Sequence, residues 1–372
     1  MPTEEQVRAA LRNVMDPEIG RPIEDIGMLK AIELEGGVVR VHVLLTIEGC
    51  PLKDRITTDV TAAVQPLEGV EQVDVRLTPM SQEERAALVQ QLRGPGAAPS
   101  GGQQPAAIRF DDSTSVIAIA SGKGGVGKSS VTVNLAVALA ADGAKVGVLD
   151  ADVWGFSVPR MMGVTGKPVG FNDMILPLEA HGVKVISMGF FVPEETPVIW
   201  RGPMLHKAIE QFLGDVYWGD LDFLLCDLPP GTGDVSISLA SFLPGASMLV
   251  VTTPQEAARK VAERAGKMAE RTNLRPLGEV ENMSYYVCPH CGERDDIFGS
   301  GGGAEAAETL GVPLMAQVPL LPAMREGGDT GVPIVLLQPD APASMALREA
   351  ADRVRQATKS KVGKPLTLMT NP

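Results

Sequence analysis

The 372-residue sequence predicts an α/β fold, a mainly parallel sheet covered by helices, preceded by a small α+β domain. The first ground is a set of short apolar runs beyond residue 107: VIAIAS, KVGVLD, VKVISM, DFLLCD, SMLVVTT and LGEVENM. Several have no polar face, as expected of strands buried on both sides. The second ground is the helical patterns between most of them, such as Lys128–Ala141 and Gln255–Thr272, because strand–helix alternation implies parallel neighbours. The third is residues 94–107, GPGAAPSGGQQPAA, a run without periodicity that reads as a flexible linker between folded parts.

Residues 1–93 read as the compact α+β domain. TEEQVRAALRNVMD opens with an N-cap, Thr3, and places Val7, Ala10, Leu11 and Val14 at helical spacing. In VVRVHVLLTI, Val39, Val41, Val43, Leu45 and Ile47 alternate with Arg40, His42 and Thr46, the pattern of a half-buried strand. A helix follows over Leu52–Val64, then a strand around VDVRLTPM. Residues 108–358 form the larger domain, closed by an amphipathic helix at Met345–Thr358, and 359–372 form a tail.

The net charge of −13 and the lack of a basic stripe argue against a nucleic-acid partner, and an acidic surface discourages contact with anionic membranes. The start, MPTEEQVRAALRNVM, has no signal-type apolar core, and no apolar stretch is long enough to span a bilayer. The expected location is therefore cytoplasmic, without membrane attachment. Four cysteines, Cys50, Cys226, Cys288 and Cys291, are too few for a disulfide-built scaffold of this length.

VIAIASGKGGVGKSS reads as a buried strand, a glycine loop and a helix start. Gly122, Gly127, Lys128 and Ser129 fit G-x-x-x-x-G-K-[ST], with Lys123, Gly124, Gly125, Val126 and Ser130 completing the loop. Glycines let backbone N–H groups turn toward an anion, Lys128 gives the β/γ-phosphates a positive charge, and the Ser129 hydroxyl suits Mg²⁺. Gly122, Gly124 and Gly127 also satisfy the dinucleotide pattern G-x-G-x-x-G, with Asp150 near the position of a ribose-binding acid. Two features favour ATP over a dinucleotide: the Lys-Ser pair directly after the last glycine, and Asp227 ending the apolar strand DFLLCD as a magnesium-holding acid.

The CPHCG run places Cys288 and Cys291 on one turn, where both thiolates can face one metal. Cys226 reads as a small core residue and Cys50 lies across the linker, so a second copy of the chain is the economical source of two more thiolates. A structural zinc site, a redox disulfide and inert thiols remain open on spacing alone.

KGGVGKS resembles the deviant phosphate loop of the ParA/MinD/nitrogenase-iron-protein ATPases. That resemblance implies a P-loop NTPase fold, a homodimer in which Lys123 reaches the partner's ATP, and catalytic roles for Lys123, Lys128 and Asp152. It further implies that Asp152 positions the attacking water, that Asp150 helps order Mg²⁺, and that Asn282 reads adenine. The ordered strings GKGGVGKS, DADVWGFSVP, WRGPM, DLPPGTGD, ENMSYYVCPHCG and VPLLP resemble the Mrp-type iron–sulfur cluster carriers. The family implies a [4Fe–4S] cluster bridged between subunits by Cys288 and Cys291 and passed to apo-proteins, with a cluster assembly scaffold as a further partner. DPEIGRPIEDIGML and LLTIEGCPL resemble the metal–sulfur cluster assembly module often fused ahead of it. Cys50, before Pro51 and a helix, is there either a ligand or a buried structural cysteine. The alternative function is a partition-type regulatory ATPase.

Overall fold

The described residues of the computed structural model are 2–17, 19–46, 53–93, 110, 113–153, 155–171, 174–191, 202–231, 234–243, 245–255, 264, 269, 273–288 and 290–359. The expected linker at 94–107, Cys50, most of Gln255–Thr272 and the tail after Lys359 lie outside them. The chain divides into two compact units, Met1–Ala106 with Val169–Leu176, and Ala107–Pro168 with Pro177–Pro372.

In the first unit, α1 (Glu4–Leu11) starts at a reciprocal cap: Thr3 Oγ1 accepts the Gln6 N–H, and Gln6 Oε1 accepts the Thr3 N–H. Strand β1 (Leu29–Glu35) pairs antiparallel with β2 (Val38–Leu45), and β2 pairs parallel with β3 (Gln72–Pro79). The alternation read in β2 has its expected result, since Val39, Val41 and Val43 are buried. Helix α2 (Lys53–Val64) buries Ile56, Val60 and Val64. Helix α3 (Gln82–Arg93) begins at a second reciprocal cap, between Ser81 and Glu84. Within 169–176, β6 (Val169–Phe171) and β7 (Met174–Leu176) make an antiparallel ribbon.

The second unit is a helix-covered sheet. Its strands are β4 (Ser115–Ala120), β5 (Val146–Asp150), β8 (Leu178–Ala180), β9 (Val183–Ser187), β10 (Phe223–Asp227), β11 (Ser247–Thr252), β12 (Arg275–Val287), β13 (Arg294–Asp295) and β14 (Leu314–Leu320). Their order is β13-β12-β11-β4-β10-β5-β9-β8, with β14 also paired to β12. The pairs from β12 through β9, and β12 with β14, are parallel, while β13 and β8 add antiparallel edges. The helices are α4 (Lys128–Ala141), α5 (Val158–Met161), α6 (Gly202–Gly214), α7 (Asp234–Phe242), α8 (Gly302–Leu310), α9 (Pro322–Thr330), α10 (Ile334–Leu337) and α11 (Pro342–Lys359).

Helix α4 is apolar nearly all round because it is buried between the sheet and α11; Val131, Leu135 and Leu139 are fully covered. Helix α11 is one-sided, burying Leu347, Ala350, Ala351 and Val354. Strand β10 lies between β4 and β5, so Asp227 stands level with Ile119 and Asp150 at the carboxyl ends of the strands. Parallel α/β sheets bind ligands at that edge. Among the described residues no helix is long and apolar enough to cross a membrane.

Two acids on β12 lie inside this unit. Glu281 is satisfied: its carboxylate accepts from the Gly303 N–H at 2.6 Å, from Gln317 Nε2 at 2.8 Å and from the Ser284 hydroxyl. Glu279, fully buried, has neither carboxyl oxygen hydrogen-bonded. Burial, with the Glu281 charge added, pushes its pKa up from 4.5 to about 8. The native state therefore holds a proton that the unfolded chain releases above pH 4.5. The stability associated with neutral Glu279 is complete below 4.5 and lost as pH rises to about 8. Glu279→Gln should flatten that slope in denaturant titrations across the window, and should stabilise the protein at pH 8 by roughly 2–4 kcal/mol.

Candidate nucleotide site and cysteine turn

The glycine loop leaves the end of β4 and turns into α4 through Gly125 and Gly127, whose φ values of +81° and +78° only glycine adopts without strain. A Cβ on Gly127 would also run into the Asn282 amide. The loop from Lys123 to Ser130 lines a cavity of about 220 Å³, together with Asp152, Ser157 and Pro230. A helix N-terminus opening into a glycine-built concavity suits a phosphate chain.

Below the loop, charged groups converge on Asp227, which is fully buried. Lys128 Nζ stands 2.7 Å from Asp227 Oδ2, and the Ser129 hydroxyl donates to the same oxygen at 2.5 Å. Thr132 Oγ1, on the next turn of α4, donates to Asp227 Oδ1 at 2.7 Å. Asp150, one strand over, accepts from the Ser187 hydroxyl at 3.0 Å and the Asp152 N–H at 3.2 Å. Burial first, and the neighbouring Asp227 charge second, push the Asp150 carboxyl up. Asp152 Oδ1 accepts the Gly155 N–H at 3.1 Å. The Ser129 hydroxyl and the carboxylates of Asp150 and Asp227 form a hard, all-oxygen donor set, which fits Mg²⁺.

Asn282 lines a second cavity of about 310 Å³, which shares Gly127, Ser130, Ser157 and Met161 with the first. Met283, Leu321 and Met324 line it beside the charged Arg160, Arg325 and Asp329. Asn282 is buried; its Nδ2 donates to the Val126 carbonyl at 2.9 Å, which leaves Oδ1 without a hydrogen-bond partner. Lys123 is turned elsewhere: its Nζ donates to Gln255 Oε1 at 2.6 Å.

The same strand that carries Asn282 delivers the cysteines. β12 continues to Val287, and β13 folds back on it with Tyr286 opposite Asp295 and Val287 opposite Arg294. The Cys288 N–H donates to the Glu293 carbonyl and the Gly292 N–H to the Cys288 carbonyl, both at 2.9 Å. The Arg294 guanidinium lies over the Tyr285 ring at 4.1 Å. Cys291 is exposed and Cys288 partly so. The N–H groups of Cys291 and then His290, with the Cys291 thiol, hold the Cys288 thiol below its usual range, which favours the metal-binding thiolate. Cys226 is buried, and burial pushes its thiol up, away from ligand chemistry. Among the described residues no group of three or more His, Cys, Asp or Glu side chains is placed to hold a metal.

Sequence reasoning missed Thr132, Ser187, Gln255 and the methionine lining. Thr132 alone had a signal, since it follows Ser129 by three residues and so shares its helix face.

Fold and site together define a P-loop NTPase of the ParA/MinD kind. The family described as NUBPL iron-transfer P-loop NTPase matches residues 112–355, and the chain belongs to it. A second family, iron-sulfur cluster assembly protein, matches residues 4–75. A Mycobacterium tuberculosis protein named iron-sulfur cluster carrier protein is 52% identical over 372 residues, spanning 97% of this chain and 96% of that one. A nucleotide-binding protein from Archaeoglobus fulgidus, solved with ADP, is 40% identical, with a TM-score of 0.53 over 59% of this chain and 88% of that one. MinD from Pyrococcus horikoshii, solved with Mg-ADP, shares the fold at 23% identity and a TM-score of 0.50, over 68% of this chain and all of that one.

Thr132→Val should orphan one buried oxygen of Asp227 and lower stability by about 1–3 kcal/mol in denaturant unfolding, with Thr132→Ser restoring it.

Proposed function

We propose that this chain is an ATP-hydrolysing iron–sulfur cluster carrier of the cytoplasm. In this reading a homodimer holds a [4Fe–4S] cluster between its subunits, takes it from an assembly scaffold and passes it to apo-proteins. The observation that supports the proposal is β12, which lines the cavity of about 310 Å³ with Asn282 and, six residues on, enters the turn of Cys288 and Cys291. The names of the full-length relatives support the cargo, and the ADP-bound neighbour supports the nucleotide.

In this mechanism residues 122–130 wrap the phosphates, and Lys128 neutralises charge on the β- and γ-phosphoryl groups. Ser129, Asp227 and Asp150 would hold Mg²⁺, which would supply further charge neutralisation to the phosphates. Asp152 orients the attacking water, Asn282 selects adenine, and Lys123 reaches the nucleotide of the partner subunit. Each subunit brings two thiolates on one exposed turn, and a two-fold axis through that turn supplies four. Val287 and Ile297, both exposed and flanking the turn, provide apolar surface for such an approach.

Asp152→Ala should bind ATP with little loss while hydrolysing it at least about 100-fold more slowly, because orienting water matters only on the way to the transition state. Equilibrium binding and single-turnover hydrolysis separate the two; loss of both together would make Asp152 a magnesium organiser.

Anaerobic reconstitution tests the cargo. Iron per chain and molar mass by light scattering should give about one four-iron cluster per two chains. Cys291→Ala should lose the iron and weaken the dimer, since a group bound only by the dimer stabilises it. A monomer retaining four irons would overturn the bridging, and tightly held zinc that iron cannot replace would make the site structural.

A further inference from the structure

The lysine that the proposed mechanism sends to the partner subunit is engaged within its own chain. Lys123 Nζ donates to Gln255 Oε1 at 2.6 Å, in a half-buried setting. Gln255 lies three residues past β11, the strand beside the one that ends in the glycine loop. The preceding carbonyl, Pro254, packs so closely on Gly302 that a Cβ there would overlap it. Gly302 opens α8, and the next N–H, of Gly303, is held by Glu281. Glu281 is on β12, seven residues before Cys288. The segment leaving the cysteine turn therefore ends against the backbone that seats Gln255.

We propose that Gln255 is a positioning residue that parks Lys123 in cis, so that forming the active dimer requires Lys123 to exchange Gln255 for the partner's nucleotide. This rests on the reading of Lys123 as acting across the dimer. An amide oxygen suits the task because it is a neutral acceptor: it orients the ammonium group, yet a phosphate chain, being charged, outcompetes it. The contact biases the protein toward separate subunits and so sets the concentration at which ATP turnover begins. Because the Pro254 carbonyl abuts Gly302, the cysteine turn and the phosphate loop share this one neighbour.

The test uses the full chain, measuring ATP turnover against protein concentration, with light scattering in ATP. Gln255→Ala should lower the half-activating concentration about tenfold, the equivalent of one hydrogen bond to a charged donor. Gln255→Glu should raise it by at least as much, through an ion pair with Lys123 whose effect shrinks at high salt. Opposite shifts of the two variants cannot come from general damage to the fold. Lys123→Ala should show no concentration-dependent turnover. If Lys123→Ala is inactive but the two Gln255 variants shift together or not at all, the parking role is overturned and the trans-acting lysine stands. If Lys123→Ala keeps full concentration-dependent turnover, the trans-acting lysine fails, and the parking role with it.

Discussion

The site depends on one buried carboxylate. Asp227 ends β10 in the middle of the sheet with no access to water, and a charge there must be matched from within. Lys128 and Ser129 meet one of its oxygens and Thr132 meets the other, all from the first turns of α4. That set fixes the start of α4 against the sheet, and the position of α4 fixes the glycine loop above it. Lys128, Ser129 and the glycine loop are thereby held together by folding itself.

A second constraint comes from β12. It is the longest strand described, and it serves two places at once. Its middle lines the cavity of about 310 Å³ with Asn282, and its end turns through the cysteines into β13. It is paired in parallel on both sides over much of its length, by β11 and β14. The Asn282 amide and the start of the cysteine turn thus share one strand.

The acids around β12 show how such a strand is secured. Glu281 ties α8 and β14 to β12, through the N–H of Gly303 and the amide of Gln317. Glu279 has no such donors, and burial keeps it neutral, a state that weakens the unit as pH rises. The contrast lies in the partners each acid meets, since both are fully buried on the same strand.

The fold class, the glycine loop, the acids that end β5 and β10, and the cysteine turn were legible in the sequence, because each is a local pattern. Runs such as VIAIAS and DFLLCD carry their own burial, the glycines of GKGGVGKS their own turn, and CPHCG its own spacing. Only the tertiary structure decided which distant residues meet. Thr132 closes on Asp227 across 95 positions, Lys123 on Gln255 across 132, and Asn282 on Val126 across 156. These contacts depend on strand order, which places β10 between β4 and β5 and β11 beside β4. Strand order is set by the packing of the whole sheet, and no window of sequence contains it.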